Sequence, residues 1–350
     1  MANFPPRIFR HVWFARLILF ATFAIVGVIG CTKHKPAAIR PGDPLRRSGD
    51  EIVVCGQFFH TGAPVVLWLD PGGYDAYRVE RHFSPVEEAS WAATTQATQA
   101  IKWPNRYNLR ELALSKEQIE QVRNGGWPLS LLQEKVDQFV IHYDVCGTSR
   151  QCFMVLHDMR NLSVHFMLDL DGTIYQTLDV KERAWHAGSA NSRSIGIEIA
   201  NIGAYATDNA QSPLEQWYKS DSSGAKRVVL PDWMKESGIR TPELIARPAR
   251  PDAITGQIQG KSLRQYDFTP QQYESLVKLT AALCRVFPRL RCDYPRDRTG
   301  QLITSKLSDE QIQAYQGLIG HYHLTTEKID PGPAFQWDLV INGARKLMVQ

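Results

Sequence analysis

Two nearly continuous apolar stretches predict buried β-strands in the middle of the chain. Residues 138–145 (QFVIHYDV) are rich in apolar and β-branched side chains, and His142 stands near the end of this run. Residues 194–203 (SIGIEIANIG) carry isoleucine at every second position from 195 to 199, and Glu198 is the one charged residue among them. Short apolar runs of this composition are typical of strands inside a sheet. A polar side chain towards the end of such a strand is well placed to face a cleft.

Alternating patterns predict two further pairs of strands. Residues 163–179 alternate around Asp171-Gly172, and Asp-Gly between apolar runs is the strongest short hairpin signal. Residues 51–70 predict a strand, a turn at the Gly-Pro region and a second strand.

Capping signals predict the helices. Ser115, followed three residues later by Gln118, predicts a helix that ends at the Gly125-Gly126 pair. Thr269 with Gln272 predicts a second, longer helix that ends before a proline. The closing stretch PAFQWDLVINGARKL predicts an amphipathic helix. Because strands and helices alternate loosely, the sequence predicts an α/β fold with a mixed central β-sheet flanked by helices.

The segment between the second apolar strand and the long helix differs in composition. Residues 204–264 are rich in Ser, Asp, Pro, Arg and Gly, which predicts an insertion or a long loop. Within it, LPDWMKESG at 230–238 predicts one short helix.

The N-terminus has the pattern of a bacterial lipoprotein signal. Arg7, Arg10 and Arg16 precede an apolar run over 17–30, and small residues lead into Cys31. The run is of signal-peptide length and is shorter than the roughly 20 residues of a membrane span. Residues 1–30 are therefore predicted to be a lipoprotein signal peptide, with Cys31 lipidated; the alternative is an uncleaved N-terminal anchor.

The residues after Cys31 complete the predicted domain organisation. Residues 31–50 are rich in Pro, Arg and Lys and predict a flexible tether. Residues 51–136 would form an N-terminal extension with a β-hairpin, followed by the main domain over 137–345. Because no aspartate stands beside Cys31, a Gram-negative host would sort the lipoprotein to the outer membrane, facing the periplasm. The membrane would then be a partner through the lipid anchor.

The overall charge of the chain excludes little. The net charge of +4 is modest and suits an anionic wall surface. No nucleic-acid motif occurs, and we expect no nucleic-acid partner.

Five cysteines follow Cys31 in the predicted exported part of the chain, where disulfides persist. Cys146 could bridge to Cys152, and Cys284 could bridge to Cys292, which leaves Cys55 over. Reduced, buried thiols are the alternative. No C-x-x-C pair occurs, which argues against a zinc–cysteine site.

Several side chains could serve a catalytic zinc ion, which needs three protein ligands and one open position. A lone acid in an isoleucine-rich strand, such as Glu198, is costly to bury unless it is paired or used. The candidates are His142, His157, His165, His186, Glu198, His321, His323 and Asp330.

Five motifs in order carry a family resemblance. They are VIHYD, SVHFMLDLDGTIYQ, AWHAG, NSRSIGIEIAN and GHYHLTTEKIDPGPAFQW. Together they resemble the type 2 N-acetylmuramoyl-L-alanine amidases, a zinc family that includes bacteriophage lysozyme-type amidases and animal peptidoglycan-recognition proteins. The resemblance covers roughly residues 137–345 and is interrupted by the 204–264 insertion. It implies the peptidoglycan-recognition-protein fold.

The resemblance assigns the catalytic residues. It implies zinc ligation by His142, His321 and Asp330, with Zn²⁺ as the cofactor. Glu198 matches the acid of the family's GIE motif and would be the general base. Lys328, two residues before the third ligand, would stabilise the oxyanion.

The remaining polar residues of these motifs are assigned more loosely. We expect His186 and His165 to contact substrate, and Asn191 to orient its loop or touch the glycan. We expect His157 to be an exposed loop residue. His323 has no counterpart in the family, and we expect it beside the ligands or at the surface.

The chain departs from the family's pattern directly after His142. Tyr143, Asp144 and Val145 stand where relatives carry another histidine or a Thr-rich turn.

The resemblance implies hydrolysis of the amide between N-acetylmuramic acid and L-alanine, in peptidoglycan or muropeptides. The alternatives are a peptidoglycan-binding lipoprotein on the same fold without catalysis, and a different zinc hydrolase or structural wall lipoprotein.

Overall fold

A computed structural model describes residues 40–234 and 236–349. The predicted signal peptide, the lipidation site Cys31 and most of the predicted tether lie outside the described residues. Residues 47–350 make up one compact unit, described below. None of the helices in the described part of the chain combines the length and the apolar character needed to span a membrane.

The strands of the described residues are β1 (Glu51–Val54), β2 (Gln57–His60), β3 (Val65–Leu67), β4 (Tyr107–Asn108), β5 (Gln138–Tyr143), β6 (Phe166–Leu168), β7 (Ile174–Gln176), β8 (Arg183–Ala184), β9 (Ser194–Ile199), β10 (Tyr205–Ala206), β11 (Tyr218–Ser220), β12 (Lys226–Val228), β13 (Ile254–Ile258), β14 (Lys261–Gln265) and β15 (Gly317–Gly320). The helices are α1 (Val86–Ala89), α2 (Trp91–Ala97), α3 (Lys116–Gly125), α4 (Leu129–Lys135), α5 (Ser149–Phe153), α6 (Leu214–Trp217), α7 (Pro270–Val286), α8 (Asp309–Ala314), α9 (His321–Leu324) and α10 (Trp337–Met348). A π-helical turn, Met154–Met159, continues α5, and Glu111–Ala113 and Gly188–Ser192 are 3₁₀ turns.

A six-stranded mixed sheet forms the centre of the unit, in the order β15-β5-β9-β6-β7-β3. Only β6 and β7 pair antiparallel; the other neighbours are parallel. Helices α7 and α10 pack on one face through a shared apolar core, and α5 with its π-helical turn covers part of the other. The predicted α/β class with a mixed sheet flanked by helices is confirmed.

Most predicted elements occur where the patterns place them. The strands β5 and β9 occupy the two apolar runs, and β6 and β7 form the hairpin around Asp171-Gly172. The helices α3 and α7 begin with complete capping boxes, at Ser115 and Thr269. Helix α10 matches the predicted closing helix.

The predicted turn of the N-terminal hairpin is wrong. The strands β1 and β2 pair directly across Cys55 and Gly56, whose positive φ angles of 52° and 72° form a tight two-residue turn. Such turns match the twist of paired strands. The following strand β3 leaves the hairpin and adds to the edge of the central sheet, parallel to β7. The N-terminal extension therefore contributes a strand to the main sheet.

The insertion is built from small sheets rather than from a loop alone. Strands β10, β14 and β13 form a three-stranded sheet, and β11 and β12 form a hairpin. A separate apolar cluster that includes Trp217, Tyr218 and Tyr266 supports them. The predicted helix at 230–238 is wrong among the described residues, where the chain makes a turn at Pro231 and reaches a positive φ of 77° at Gly238.

Candidate metal centre and cleft

Three neighbouring parallel strands bring the main polar residues to one edge of the sheet. On β5 and β9, His142 and Glu198 stand directly opposite each other in the strand register. On the other side of β5, the strand β15 ends at Gly320, immediately before His321. Because parallel strands end at the same edge, the side chains of these residues can converge there. They line one cavity of about 150 Å³.

Three residues each place one potential metal-binding atom close to those of the other two. The Nδ1 atoms of His142 and His321 lie 3.0 Å apart. Oδ2 of Asp330 lies 2.9 Å from the first of these nitrogens and 3.1 Å from the second. The aspartate reaches this point from the loop after α9.

This triangle fits a zinc ion. When both Nδ1 atoms are unprotonated, all three atoms have a lone pair, and a cation between them would bind all three together. Zinc bonds of about 2.0–2.1 Å in a tetrahedral site place ligand atoms roughly 3.3 Å apart, close to the separations seen here. Two histidines and one carboxylate are also a ligand set used in catalytic zinc sites, with one position left for water.

The electrostatics of the cluster keep the ligands in the forms that bind metal. Burial and the neighbouring His321 lower the pKa of His142 to about 4, so its imidazole is neutral at neutral pH. Burial alone would raise the pKa of Asp330, but His321 and His142 outweigh it and hold that pKa well below its ordinary value. Asp330 is therefore an anion.

A third histidine holds the first candidate ligand from behind. Nδ1 of His186 lies 3.0 Å from Nε2 of His142, the ring nitrogen that points away from the cluster. Its imidazole lies flat against Gly196, where an added Cβ would come within 2.6 Å of the ring. Partners of this kind orient metal-bound histidines and select the nitrogen that binds. Only glycine at position 196 leaves room for the contact.

Glu198 presents a free carboxylate oxygen beside the cluster. Its Oε2 atom is buried and has no hydrogen-bond partner. Burial, followed by the charges of Asp330 and Asp144, raises the pKa of Glu198 well above its ordinary value. Lys328 is exposed and lines the same cavity. The cavity thus holds a carboxyl group with proton affinity and a cation next to the candidate metal centre.

The insertion and its flanking residues brace the loop that carries Asp330. The Gln265 side chain accepts from the Ala334 amide (3.0 Å) and donates to the Pro331 carbonyl (3.1 Å). It leaves no room for a Cβ at Gly332, whose φ is +82°. Gln259, between β13 and β14, donates to the carbonyl of Tyr322. These contacts fix the third candidate ligand through backbone groups of its loop.

His165 and Asn191, which we expect to contact substrate, are buried, and their contact with substrate stays a prediction. His165 is completely buried, and its Nδ1 accepts a hydrogen bond from the Gly196 amide. Asn191 is also buried, and its Oδ1 accepts from the amides of His186 and Ala187. These two residues support the cleft from below. The other reading of Asn191, that it orients its loop, agrees with these bonds.

His157 and His323 are buried as well. The prediction that His157 is exposed is wrong, since its ring lies between Asp158 and the carbonyl of Arg78. His323 accepts from the Gly320 amide at 2.9 Å and contacts the carbonyl of Ile303 at 2.7 Å. It is therefore not a surface residue, and its backbone contact lies directly before the ligand candidate His321.

Asp144 is a cleft residue that the sequence reasoning passed over. Its Oδ1 accepts from three backbone amides, those of Cys146, Gly147 and Asn201. Its Oδ2 is buried and has no hydrogen-bond partner among the described residues. Burial raises its pKa to about 7. The signal that could have identified it was its position directly after the same buried strand as His142.

The predicted cysteine pairs lie in contact, with all five described cysteines as free thiols. Burial, followed by the contact with Cys146, raises the pKa of Cys152 well above its ordinary value. A contact with Cys292, together with burial, raises the pKa of Cys284. Cys55 lies apart from both pairs, and burial raises its pKa to about 12. The two disulfides remain predictions.

Fold and site together define a class of protein: a mixed α/β protein with a candidate two-histidine, one-aspartate metal centre next to a free glutamate. The sequence profile of the N-acetylmuramoyl-L-alanine amidase family matches residues 132–333, more than half of the chain. The chain belongs to this family.

Individual relatives are more distant. Over 76 residues the chain is 40% identical to the N-acetylmuramoyl-L-alanine amidase CwlH of Bacillus subtilis strain 168, which is 19% of this chain and 30% of that protein. The chain thus spans about a third of that curated relative. Among solved structures, a selenomethionine derivative of AmpD is 16% identical, with a TM-score of 0.31, over 68% of this chain and 89% of AmpD. AmiD from E. coli, in complex with anhydro-N-acetylmuramic acid-L-Ala-D-γ-Glu-L-Lys, is 19% identical, with a TM-score of 0.32. This match covers 60% of this chain and 57% of AmiD.

Proposed function

We propose that this chain is a zinc-dependent N-acetylmuramoyl-L-alanine amidase that hydrolyses the amide between N-acetylmuramic acid and L-alanine, in peptidoglycan or muropeptides. The observation that carries the proposal is the convergence of His142, His321 and Asp330 beside the unpartnered oxygen of Glu198. Family membership supports the choice of this amide.

His142, His321 and Asp330 would hold the zinc ion. When bound, zinc polarises a carbonyl group and lowers the pKa of a water ligand to about 7. The neutral imidazole of His142 and the anionic Asp330 are already in the forms that this requires. His186 would keep the His142 ring from rotating.

Glu198 would move the proton in this reaction. Its free Oε2 can accept a proton from the attacking water and donate it to the departing amine of L-alanine. A raised pKa favours the second half of this transfer, because a protonated carboxyl is needed to donate. A buried acid without a partner is costly to keep, and this function explains why it is present.

Lys328 would stabilise the charge that develops on the attacked carbonyl oxygen. It lines the cavity, and its ammonium group takes part in no hydrogen bond or ion pair recorded among the described residues. One preorganised donor aimed at such a charge typically lowers the barrier by ~3 kcal/mol.

For the location, we propose an exported lipoprotein anchored through Cys31 in the outer membrane and facing the periplasm. The support is the order of basic residues, apolar run and cysteine in residues 1–31. Mass spectrometry of the N-terminal peptide from cells would detect the lipid. An unmodified Cys31 in a chain that retains residues 1–30 would favour the uncleaved anchor instead.

The activity has a direct test. The purified protein is assayed for zinc by elemental mass spectrometry, and then incubated with purified sacculi and with muramyl tripeptide. We expect about one zinc per chain and new L-alanine amino termini with both substrates or with one of them. Bound zinc without release at any pH tested would favour the non-catalytic peptidoglycan-binding alternative. A protein that takes up no zinc would contradict the ligand assignment itself.

A further inference from the structure

A completely buried arginine from the segment before the family match lies beneath the cleft. Arg110 follows β4, and none of its surface is exposed. Its hydrogen bonds go to backbone carbonyl oxygens, and none goes to a carboxylate. A guanidinium group without an anionic partner is expensive to bury, so its position calls for a reason beyond packing.

Arg110 binds both ends of one short backbone segment. Its Nη1 donates to the carbonyl of Asn191 at 2.9 Å and to the carbonyl of Ser194 at 3.0 Å. Its Nη2 donates to the carbonyl of Val180 at 2.9 Å. The planar guanidinium therefore fixes residues 191–194 to the chain that leaves the β7 strand.

The segment held in this way presents His186 to the candidate metal centre. Asn191, one of the two residues that Arg110 binds, accepts from the amides of His186 and Ala187. The ring of His186 in turn meets His142 at 3.0 Å, and its other nitrogen lies 3.4 Å from Oγ of Ser194. Three successive contacts thus connect the guanidinium to the first candidate ligand.

Arg110 also packs against the residues below this segment. Nη2 of Arg110 lies 3.1 Å from Nε2 of His165, but this is a packing contact: the ring accepts at Nδ1 from the Gly196 amide, so its Nε2 carries the proton and donates to the carbonyl of Glu182 at 3.0 Å. Gly196 is the surface against which the His186 ring lies. The hydrogen bonds and this packing contact therefore lead to the same imidazole, His186.

We propose that Arg110 is a positioning residue of the metal centre, which holds His186 against His142 and thereby orients His142 as a ligand. The proposal rests on the proposed function only in requiring that the centre binds zinc. It explains why the segment is bound by an arginine: a lysine has one ammonium group and cannot reach three carbonyl groups with a planar fork. It also assigns a role in the site to the segment that precedes residue 132.

The same segment supplies a matched control. Arg106 is also completely buried, and it also binds carbonyl groups, those of His157 at 3.1 Å and Val79 at 2.8 Å. None of its recorded bonds reaches residues 186–194. Arg106→Lys therefore reports the general cost of disturbing a buried arginine in this segment.

The test compares Arg110→Lys with Arg106→Lys in the whole protein. Zinc affinity is measured by competition with a chromogenic chelator, and stability by thermal unfolding of the metal-free protein. Partners behind a metal ligand typically change metal affinity by about 10–100-fold. We expect Arg110→Lys to weaken zinc binding at least tenfold and Arg106→Lys to change it less than about twofold. Equal zinc affinities for the two variants would overturn the proposal.

A double-mutant cycle tests the route. If Arg110 acts through His186, adding Arg110→Lys to His186→Gln should weaken zinc binding less than about twofold relative to His186→Gln alone. Full additivity would overturn the proposal. Should Arg110→Lys fail to fold, Asn191→Ala breaks the same chain of contacts at the next residue and should weaken zinc binding several-fold; unchanged affinity would overturn the proposal.

The outcomes separate this inference from the proposed function. Wild-type protein that binds zinc but releases no L-alanine termini contradicts the amidase activity, while the zinc affinities still decide the role of Arg110. Amidase activity with equal affinities in the two lysine variants contradicts the role of Arg110 alone. Wild-type protein without zinc contradicts both.

Discussion

Two clusters in the described part of the chain bring three potential metal-binding atoms within 4.8 Å of one another. The inner cluster is His142, His321 and Asp330, and the outer cluster is Asp50, Glu51 and His60. They use the same types of side chain. The inner cluster lies at the edge of the central sheet, whereas the outer one lies on the N-terminal hairpin and the residues before it.

Backbone amides bind both acids of the outer cluster. Glu51 accepts from the Ser48 amide with one oxygen and from the Gly49 amide with the other. Asp50 accepts from the Gly62 amide, and its second oxygen is bonded to His60. Those oxygens shape a turn, so few lone pairs remain for a cation.

The inner cluster offers its ligand atoms to each other alone. Oδ2 of Asp330 has only the two imidazoles of His142 and His321 as recorded partners. Residue types and proximity are thus the same in both clusters, and the difference lies in the lone pairs that the backbone leaves free. We therefore expect a metal ion at the inner cluster and not at the outer one.

The largest expected effect is the loss of metal from the inner cluster. Asp330→Ala removes the one anionic ligand, and we expect zinc content to fall to background and hydrolysis with it. Elemental analysis after dialysis measures the metal. Asp50→Ala in the outer cluster is the matched control and should keep about one zinc per chain. Zinc retained by Asp330→Ala and lost by Asp50→Ala would reverse the comparison.

Glu198→Gln should separate metal binding from turnover. The amide keeps the size of the side chain but cannot exchange a proton, so we expect near-normal zinc content and a fall in kcat of about 10²–10⁴-fold. Steady-state release of L-alanine termini and elemental analysis on the same sample check this. Full activity of Glu198→Gln would remove Glu198 from the mechanism.

Lys328→Met should have a smaller effect, confined to the transition state. The loss of one charged donor predicts a fall in kcat of about 10²-fold, with zinc content and unfolding temperature unchanged. Lys346, which is exposed on α10, gives a control lysine outside the cavity. An equal, small effect of Lys328→Met and Lys346→Met would show that Lys328 is only a surface residue.

The smallest expected effect is a difference in histidine titration in the metal-free protein. The hydrogen bond that the His60 ring donates to the Asp50 carboxylate raises the pKa of His60 above 6.5, so the stabilisation from this pair is present below pH 6.5 and is lost as the pH rises through the raised value. Burial lowers the pKa of His142 to about 4, so its contribution is lost as the pH falls from about 6.5 to about 4. NMR spectra of the histidine ring protons between pH 4 and 8 distinguish the two. A His142 signal that titrates above pH 6.5 would contradict the assigned burial.

The predictions from sequence succeeded where a local pattern has one structural solution. The strands β5 and β9, the β6–β7 hairpin and the helices α3 and α7 follow from periodicity, Asp-Gly and capping boxes. The partner of strand β3 was not predicted, because its three residues pair only when the chain folds back onto β7. The helix predicted at 230–238 failed because local pattern there competes with Pro231 and Gly238.

Histidines were the hardest residues to place. The sequence pattern alone could not distinguish His142, a candidate ligand, from His165, which is bonded to the Gly196 amide. Both stand near buried strands. The difference lies in which backbone groups from distant parts of the chain reach each ring.

The sequence by itself determined the family, the strand-end positions of His142 and Glu198 and the nature of the ligand candidates, because these depend on residue type and short spacing. Only the tertiary structure decided which atoms converge. It brought Asp330 across from a late loop, left its oxygen free of backbone amides, and placed Arg110 from a preceding segment beneath His186. The physical reason is that hydrogen-bond satisfaction is a property of the folded chain: each buried lone pair is used or free according to groups that are distant in sequence.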